Sequence, residues 1–248
     1  MGETRTLLLC LLLLNVCGCS SSEHWMLTEG QHEHSFQKTI TKTVRSHFLV
    51  FLPKGFQAEK KKWPLILFLH GSGERGEDIE HVRVNGPPKL VEAQPDFQFI
   101  VVSPQAPENS AWDSDVLNAL LDELFQQLPV DTDRVYLTGL SMGGYGTWSM
   151  ATDHPDRFAA IAPVSGAGDP DRACLLKNLP IWAFHGGKDP YVYLKDEQDM
   201  VDAVKECGGD VKFTVYPDEG HDVWTRTYNN PELYQWFLDH RRHHVAKD

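Results

Sequence analysis

The strongest chemical signal in the chain is a serine between glycines, in the segment GLSMG at 139–143. The serine directly follows the apolar run Val135 to Leu140, and residues 144–151 after the segment are compatible with a helix. In a G-x-S-x-G turn between a strand and a helix, small flanking residues allow a sharp bend that exposes the serine hydroxyl. Ser141 is therefore predicted to be a nucleophile, and the Met142 N–H at the start of the helix is predicted to stabilise an oxyanion.

A serine nucleophile needs a base that accepts its proton and an acid that orients the base. Two further apolar runs end in suitable residues: HGGKDP at 185–190 contains Asp189, and PDEGHD at 217–222 contains His221. Serine, acid and histidine follow one another in the order that brings the three side chains together at the carboxyl ends of parallel strands. Asp189 is the predicted acid and His221 the predicted base.

Other residues compete for these two roles. Asp218 and Asp222 are alternative acids, although their nearness in sequence to His221 makes its far ring nitrogen harder to reach. Among the twelve histidines, His185 stands at a strand end before two glycines and is predicted to bond to backbone. His154 lies two turns into the helical region after the serine, so its position favours it less than His221.

A second oxyanion donor is expected in the loop HGSGERG at 70–76, which follows another apolar run. Its glycines allow backbone amides to approach a substrate oxygen. Ser72 N–H is the preferred donor, with Gly71 and Gly73 as alternatives that remain open. A phosphate-binding loop is disfavoured because the segment has neither a Lys-Ser/Thr ending nor the G-x-G-x-x-G spacing.

The elements that must position these residues are short apolar runs alternating with amphipathic stretches, the pattern of a mainly parallel sheet covered by helices. Two early runs, Ile40 to Val44 and Phe48 to Leu52, are predicted strands of antiparallel type. Six further predicted strands bring the sheet to about eight; they are Pro64 to Leu69, Phe99 to Val102, Val135 to Leu140, Ala159 to Val164, Ile181 to Phe184 and Val211 to Tyr216.

Apolar residues at helical spacing predict three further helices, and the whole is an α/β fold with helices on both faces of the sheet. One helix covers 116–128 with Asp113 or Ser114 as its cap, a second covers Tyr193 to Cys207, and the last covers Pro231 to Arg241. The irregular stretch Gly71 to Pro88 is predicted to be a functional loop.

These motifs resemble the α/β-hydrolase superfamily over residues 39–241. LHGSGERG, NGPPKL, GLSMGGYGTW, HGGKDPYV and EGHDVW are most similar to its phospholipase/carboxylesterase and dienelactone-hydrolase-like group, which includes feruloyl and acetyl-xylan esterases. The resemblance implies the same roles for Ser141, Asp189 and His221, with an oxyanion hole near Ser72 and Met142. Dienelactone hydrolases have a cysteine nucleophile, and the serine in this chain favours ester hydrolysis.

The resemblance also bears on the substrate cleft. Relatives often insert a cap between the strands that end at Val164 and begin at Ile181, and the segment between them here is too short for a large one. An open cleft is therefore expected, compatible with polymer-linked substrates. Four aromatic residues near the motifs are candidates for substrate binding, with core or rim packing as the alternative for each: Trp112, Tyr145, Tyr191 and Trp224.

Composition narrows the class of protein. The 248 residues include 35 acidic and 23 basic side chains, for a formal charge of −12. This excess argues against nucleic acid as a partner, because phosphate binding needs a basic face, and it favours neutral esters over polyanionic substrates. No metal or other cofactor is expected, since the cysteines lack metal-ligand spacing.

The start of the chain predicts export. Leu7 to Val16 is apolar and too short to span a membrane, which is typical of a signal peptide over 1–18. Val16-Cys17-Gly18-Cys19 resembles a lipobox with Cys19 as the lipidated residue; ordinary cleavage and secretion is the alternative. A linker at 19–38 and a catalytic domain at 39–248 are expected to follow. In an oxidising compartment Cys174 and Cys207 can pair if their Cα atoms lie close enough.

Taken together, the sequence predicts an exported serine carboxylesterase that acts on small or polymer-linked esters through an acyl-enzyme, with plant cell-wall feruloyl and acetyl esters as candidate substrates. Two alternatives stay open: a serine peptidase resembling the catalytic domain of prolyl oligopeptidase, and a non-catalytic binding lipoprotein. Neither the oligomeric state nor the acyl group follows from the sequence.

Overall fold

The computed structural model describes residues 39, 41–57 and 60–242. The predicted signal peptide at 1–18, the lipidation candidate Cys19 and the linker at 19–38 lie outside these residues.

A seven-stranded sheet organises the described chain, in the spatial order β1-β3-β2-β4-β5-β6-β7. β1 pairs antiparallel with β3, and all other neighbours are parallel. Strands β2 to β6 are almost wholly buried, as expected for a parallel sheet covered on both faces. The strands are β1 (His47–Phe51), β2 (Trp63–Leu69), β3 (Ile100–Gln105), β4 (Val130–Leu140), β5 (Ala160–Val164), β6 (Ile181–Gly186) and β7 (Val211–Tyr216).

The structure differs from the expected sheet at one point. Residues 41–44, part of the predicted first strand, are in no strand. Residues 41–43 are exposed and pair with no described strand, so the alternation of side chains there has no sheet to pack against. The other seven predicted strands are present.

Helices cover both faces of the sheet, and alternation along β2 shows how the two layers divide. Leu65, Leu67 and Leu69 pack with α2, α3 and α4 on one face, whereas Ile66 and Phe68 pack with α1, α5 and α6 on the other. The helices are α1 (Gly86–Ala93), α2 (Ser114–Gln127), α3 (Met142–Asp153), α4 (Leu194–Glu206), α5 (Trp224–Tyr228) and α6 (Pro231–Asp239). None of the helices in the described part of the chain is long and apolar enough to span a bilayer.

Local signals explain where the helices begin. The Asp113 carboxylate accepts hydrogen bonds from the amides of Asp115 and Val116, as an N-cap does at the start of α2. The predicted loop at 71–88 holds two short 3-10 helices, Ser72–Glu74 and Ile79–Val84, before α1 begins.

A disulfide joins the segment between β5 and β6 to the end of α4. Cys174 lies in the 3-10 helix Pro170–Leu176 and Cys207 directly follows α4, with their Cα atoms 5.2 Å apart. The bond therefore links the segment between β5 and β6 to the end of the helix that follows the predicted acid.

Removing this disulfide should destabilise the fold. The bond closes a loop with a sequence separation of 33, for which lost chain entropy in the unfolded state predicts about 2–4 kcal/mol. Replacing both Cys174→Ser and Cys207→Ser should lower the free energy of unfolding in urea by this amount. Reductant should produce the same loss in the unsubstituted protein and none in the double variant; an unsubstituted protein insensitive to reductant would contradict the prediction.

Candidate active site

Ser141 lies in the turn between β4 and α3 with a strained backbone. Its φ is +53° and its ψ −116°, a region that L-residues rarely adopt. The turn is held from both sides, because the Ser141 amide donates to the Val164 carbonyl at 2.9 Å and the Ser141 carbonyl accepts from Tyr145 N–H at 3.1 Å. In this conformation Ser141 projects from the end of the sheet and is partly exposed.

The glycines around the serine are explained by close backbone contact. A Cβ added to Gly143 would lie 1.9 Å from the Leu69 carbonyl oxygen at the end of β2. One added to Gly139 would lie 2.4 Å from the Gly143 carbonyl oxygen. The turn after β4 therefore packs directly against the end of β2, with no space for a side chain at either glycine.

Ser141, His221 and Asp189 form a continuous hydrogen-bonded chain. His221 Nδ1 lies 2.6 Å from Asp189 Oδ2, and His221 Nε2 lies 2.9 Å from Ser141 Oγ. A carboxylate oxygen only accepts, so Nδ1 carries the proton and Nε2 is free to accept the serine proton. The side chain of Asp189 is fully buried, whereas that of His221 is 17 % exposed. The arrangement has the geometry required for an activated nucleophile.

Backbone groups fix the acid. Asp189 Oδ1 accepts from the amides of Tyr191 and Val192 at 2.9 and 3.0 Å. Oδ1 therefore anchors the side chain to its own turn, which leaves Oδ2 for His221.

The loops that carry the acid and the histidine are tied together by their backbones. Gly187 N–H donates to the Tyr216 carbonyl at 2.8 Å, and Lys188 N–H donates to the Glu219 carbonyl at 2.9 Å. A Cβ on Gly186 would lie 1.9 Å from the Gly220 carbonyl oxygen. The distance between the two loops is therefore set by direct backbone contact.

The alternative acids have other partners. Asp218 is exposed and pairs with Lys188 at 2.9 Å. Asp222 accepts from the amide and hydroxyl of Thr225 at the start of α5. The carboxylate against His221 is that of Asp189.

The alternative histidines also lie outside this chain of hydrogen bonds. His185 is buried, and its Nε2 lies 3.0 Å from the Val192 carbonyl, which is the backbone contact expected from its position. His154 follows the end of α3 and donates its amide to the Met150 carbonyl.

Ser165, which sequence reasoning missed, supports the catalytic candidate His221. It directly follows β5, has φ +49° and is fully buried. Its hydroxyl donates to the His221 carbonyl at 3.0 Å, and its amide donates to the Phe184 carbonyl at 2.8 Å. No motif marks this serine in the sequence, because its partner lies 56 residues away.

His70 supports the predicted oxyanion loop. Burial lowers the pKa of His70 to about 4, so the ring is neutral near pH 7. Nε2 accepts from Ala106 N–H at 3.0 Å, which leaves the proton on Nδ1 to donate to the Gly71 carbonyl at 2.6 Å. The neutral ring thus joins the end of β2 to the residues after β3.

The oxyanion candidates lie at two helix starts. Met142 is the first residue of α3, and Ser72 begins the 3-10 helix Ser72–Glu74 that follows Gly71. First-turn amides have no partner inside their own helix and are available to a substrate oxygen. Gly73 lies in the same first turn as Ser72.

Three of the aromatic candidates have exposed or His221-facing rings. The ring centroids of Tyr191 and Trp224 lie 5.3 and 5.1 Å from that of His221. Tyr191 is 78 % exposed and Tyr145 is also exposed. Tyr193, which was not singled out from the sequence, is a further exposed ring on the turn after Asp189.

Trp112 has a different environment from the other candidates. Its indole N–H donates to the His70 carbonyl at 3.2 Å, and its ring lies 4.8 Å from the His70 ring. A Cβ on Gly146 would lie 2.6 Å from it. Its contacts correspond to the packing alternative, as a side chain between the oxyanion loop and α3.

In the described ranges, no group of three or more His, Cys, Asp or Glu residues is arranged to hold a metal ion.

Comparisons with known proteins find similarity to esterases. The family model "Putative esterase" matches residues 87–243. The bifunctional acetylxylan esterase/xylanase XynS20E of Neocallimastix patriciarum is 29 % identical over 188 residues, covering 70 % of this chain and 26 % of that protein. A probable feruloyl esterase C of Aspergillus terreus is 24 % identical over 168 residues, covering 64 % of this chain and 57 % of that protein.

A solved structure is also similar. A thermostable esterase superimposes with a TM-score of 0.71 at 33 % identity, covering 79 % of this chain and 59 % of that one. This chain therefore spans less than two thirds of the length of each of these three proteins. The match supports the α/β-hydrolase fold, with its mostly parallel sheet and helices on both faces.

The strain at Ser141 can be measured with two inactive variants. Glycine adopts a positive φ without cost, so Ser141→Gly should have a free energy of unfolding about 1 kcal/mol higher than Ser141→Ala. Urea denaturation of both proteins measures this difference.

The matched control is Ser149, an exposed position inside α3. There the order should reverse, with Ser149→Ala more stable than Ser149→Gly by about 1 kcal/mol. The same order at both positions would show that the turn at Ser141 stores no strain.

Proposed function

The chain belongs to the putative esterase family, a carboxylesterase-type group of α/β-hydrolase enzymes, and we propose that it hydrolyses carboxylic esters through an acyl-enzyme on Ser141. The observation that carries the proposal is the chain of hydrogen bonds from Ser141 Oγ through His221 to Asp189, at 2.9 and 2.6 Å. Such a chain activates a serine hydroxyl by giving its proton a base to move to.

In the proposed acylation, Ser141 Oγ attacks the ester carbonyl carbon while His221 Nε2 takes the hydroxyl proton. Asp189 stabilises the imidazolium through its hydrogen bond to Nδ1. The carbonyl oxygen becomes an oxyanion that accepts from Met142 N–H and from an amide of the 70–76 loop, for which Ser72 is preferred.

Collapse of this intermediate breaks the bond to the alcohol, which leaves with the proton held on His221. Water then attacks the acyl group, gives a proton to His221 Nε2 and displaces Ser141, which recovers its proton from the same nitrogen. The net reaction consumes one ester and one water and releases an acid and an alcohol.

The surroundings of Ser141 favour small or polymer-linked neutral esters. The segment at 165–180, where relatives carry a cap, holds one short 3-10 helix tied down by Cys174. The exposed rings of Tyr145, Tyr191 and Tyr193 offer flat surfaces for an acyl group or a sugar. The names of the acetylxylan and feruloyl esterase relatives support cell-wall esters as the first substrates to test.

Ester hydrolysis should depend on the hydrogen-bonded chain. Ser141→Ala should lower kcat/KM for p-nitrophenyl acetate and for a feruloyl ester by about 10⁴-fold or more, and Asp189→Asn should lower kcat by about 10⁴-fold. Initial rates measured with both esters, and with an aminoacyl amide, test the expectation.

Ser149→Ala is the matched control, because Ser149 is exposed on α3 and outside the hydrogen-bonded chain; its rates should equal those of the unsubstituted protein. Equal ester rates for Ser141→Ala and the unsubstituted protein would refute the proposed mechanism. Faster cleavage of the amide than of the esters would favour a serine peptidase, and catalysis of neither would favour a binding protein.

The proposal includes export, with residues 1–18 as signal peptide and Cys19 as lipid anchor. The bond between Cys174 and Cys207 supports it, because disulfides persist in oxidising compartments. The full-length protein expressed in a bacterium fed labelled palmitate should carry label in the membrane fraction, whereas Cys19→Ala should not. Unlabelled protein released into the medium would support ordinary secretion instead.

A further inference from the structure

His185 lies directly behind the acid and has no part in the proposed proton transfer. It is in β6, and its side chain is fully buried. Its Nε2 lies 3.5 Å from Asp189 Oδ2, the oxygen that receives the hydrogen bond from His221. The ring therefore packs against the atom on which the orientation of His221 depends.

Both ring nitrogens of His185 have buried partners. Nε2 lies 3.0 Å from the Val192 carbonyl, which only accepts, so Nε2 carries a proton and donates it there. Nδ1 contacts Glu197 Oε2 on α4. His185 thus connects the turn after β6 to a helix on the same face of the sheet.

Glu197 is itself held in place from α3. Its side chain is fully buried, and Oε1 accepts from the Trp148 indole N–H at 3.3 Å. His185 is therefore attached through Glu197 to α3.

The turn that His185 contacts is hydrogen-bonded to the acid. Asp189 Oδ1 is bonded to the amides of Tyr191 and Val192, so the carboxylate follows the turn. His185 holds the carbonyl of Val192, the last residue of that hydrogen-bonded turn. A shift of this carbonyl would change the direction in which Oδ2 faces His221.

Packing alone does not account for a buried polar pair formed by His185 and Glu197. A buried polar pair has a large desolvation cost, and an apolar pair of similar size often stabilises a core at least as well. What an apolar pair lacks is directional hydrogen bonding to a carbonyl. The pair is thus better explained by orientation of the turn than by stability.

The pair keeps its hydrogen bond near neutral pH. Burial alone would lower the pKa of His185, but the hydrogen bond and charge of Glu197 outweigh burial and raise it. Burial raises the pKa of Glu197 to about 7. The charged groups that face His185 are Glu197 from α4 and Asp189 from its turn, with His221 beyond Asp189; Trp148 from α3 is uncharged. At least one proton therefore stays between Nδ1 and the carboxylate.

We propose that His185, held by Glu197, is a positioning residue that fixes the turn 189–192 and so directs Asp189 Oδ2 toward His221. The effect on turnover rests on the proposed esterase function. The effect on the His221–Asp189 hydrogen bond does not, which allows the two to be tested separately.

Two substitutions test the contacts of the two ring nitrogens of His185 one at a time. In His185→Gln the side-chain amide reaches the place of Nε2 and can still donate to the Val192 carbonyl. In His185→Asn the amide reaches only the place of Nδ1, so the contact with Glu197 remains and the link to Val192 is lost.

The asparagine variant should lower kcat for p-nitrophenyl acetate by about 10²-fold with KM changed by less than about twofold, whereas the glutamine variant should lower kcat by only about threefold.

Proton NMR gives a readout that needs no activity. The His221 Nδ1 proton should give a far-downfield resonance in the unsubstituted protein that is absent in Asp189→Asn. It should move upfield and broaden in His185→Asn and stay near its original position in His185→Gln. His81→Asn is the control, since His81 is an exposed side chain on the 3-10 helix Ile79–Val84, and should leave the resonance unchanged.

An unchanged resonance in a folded His185→Asn protein, or an unchanged kcat in an active one, would overturn the inference. Should that variant not fold, His185→Gln decides, because loss of the resonance despite a retained donor to Val192 would also overturn it. If no ester is hydrolysed but the resonance responds as described, the proposed function fails and the positioning role stands. If hydrolysis depends on Ser141 but the resonance does not respond, only the positioning role fails.

Discussion

Close backbone contact at the carboxyl edge of the sheet is the constraint on which the site depends. Gly143 packs against the Leu69 carbonyl and Gly186 against the Gly220 carbonyl, so near that any side chain would overlap an oxygen. The first contact sets the distance between the Ser141 turn and the end of β2, and the second sets the distance between the turns that carry Asp189 and His221.

Buried polar side chains fix the orientation of the loops around these backbone contacts. His70 joins the end of β2 to the residues after β3, Ser165 holds the His221 carbonyl, and Glu197 links His185 to α3. Each of these side chains is fully buried, which is costly unless its polar atoms are bonded. A neutral His70 suits its place, since its ring must accept on one side and donate on the other.

The parts of the structure that were predictable from sequence are those with local signals. The GLSMG segment identified a strand-to-helix turn because small residues and an apolar run are visible within a few positions, and the runs before His185 and Pro217 identified β6 and β7 in the same way. The strand prediction was wrong at residues 41–44. Their side chains alternate as in a strand, but pairing depends on a partner strand elsewhere in the chain. Ser165 and Glu197 carry no local signal, since their partners are 56 and 12 residues away. Trp112 packs on His70, which is 42 residues distant in sequence, so this contact was not visible from the sequence.

The turn after Asp189 alternates between buried and exposed residues. Val192 is buried, while its neighbours Tyr191 and Tyr193 are exposed, and the Tyr191 ring lies 5.3 Å from that of His221. Hydrogen bonds that orient the acid use only the backbone of Tyr191 and Val192. Side chains at 191 and 193 are thus free to vary without disturbing the acid, which makes this short stretch a natural place for substrate preference to diverge during evolution while the chemistry stays the same.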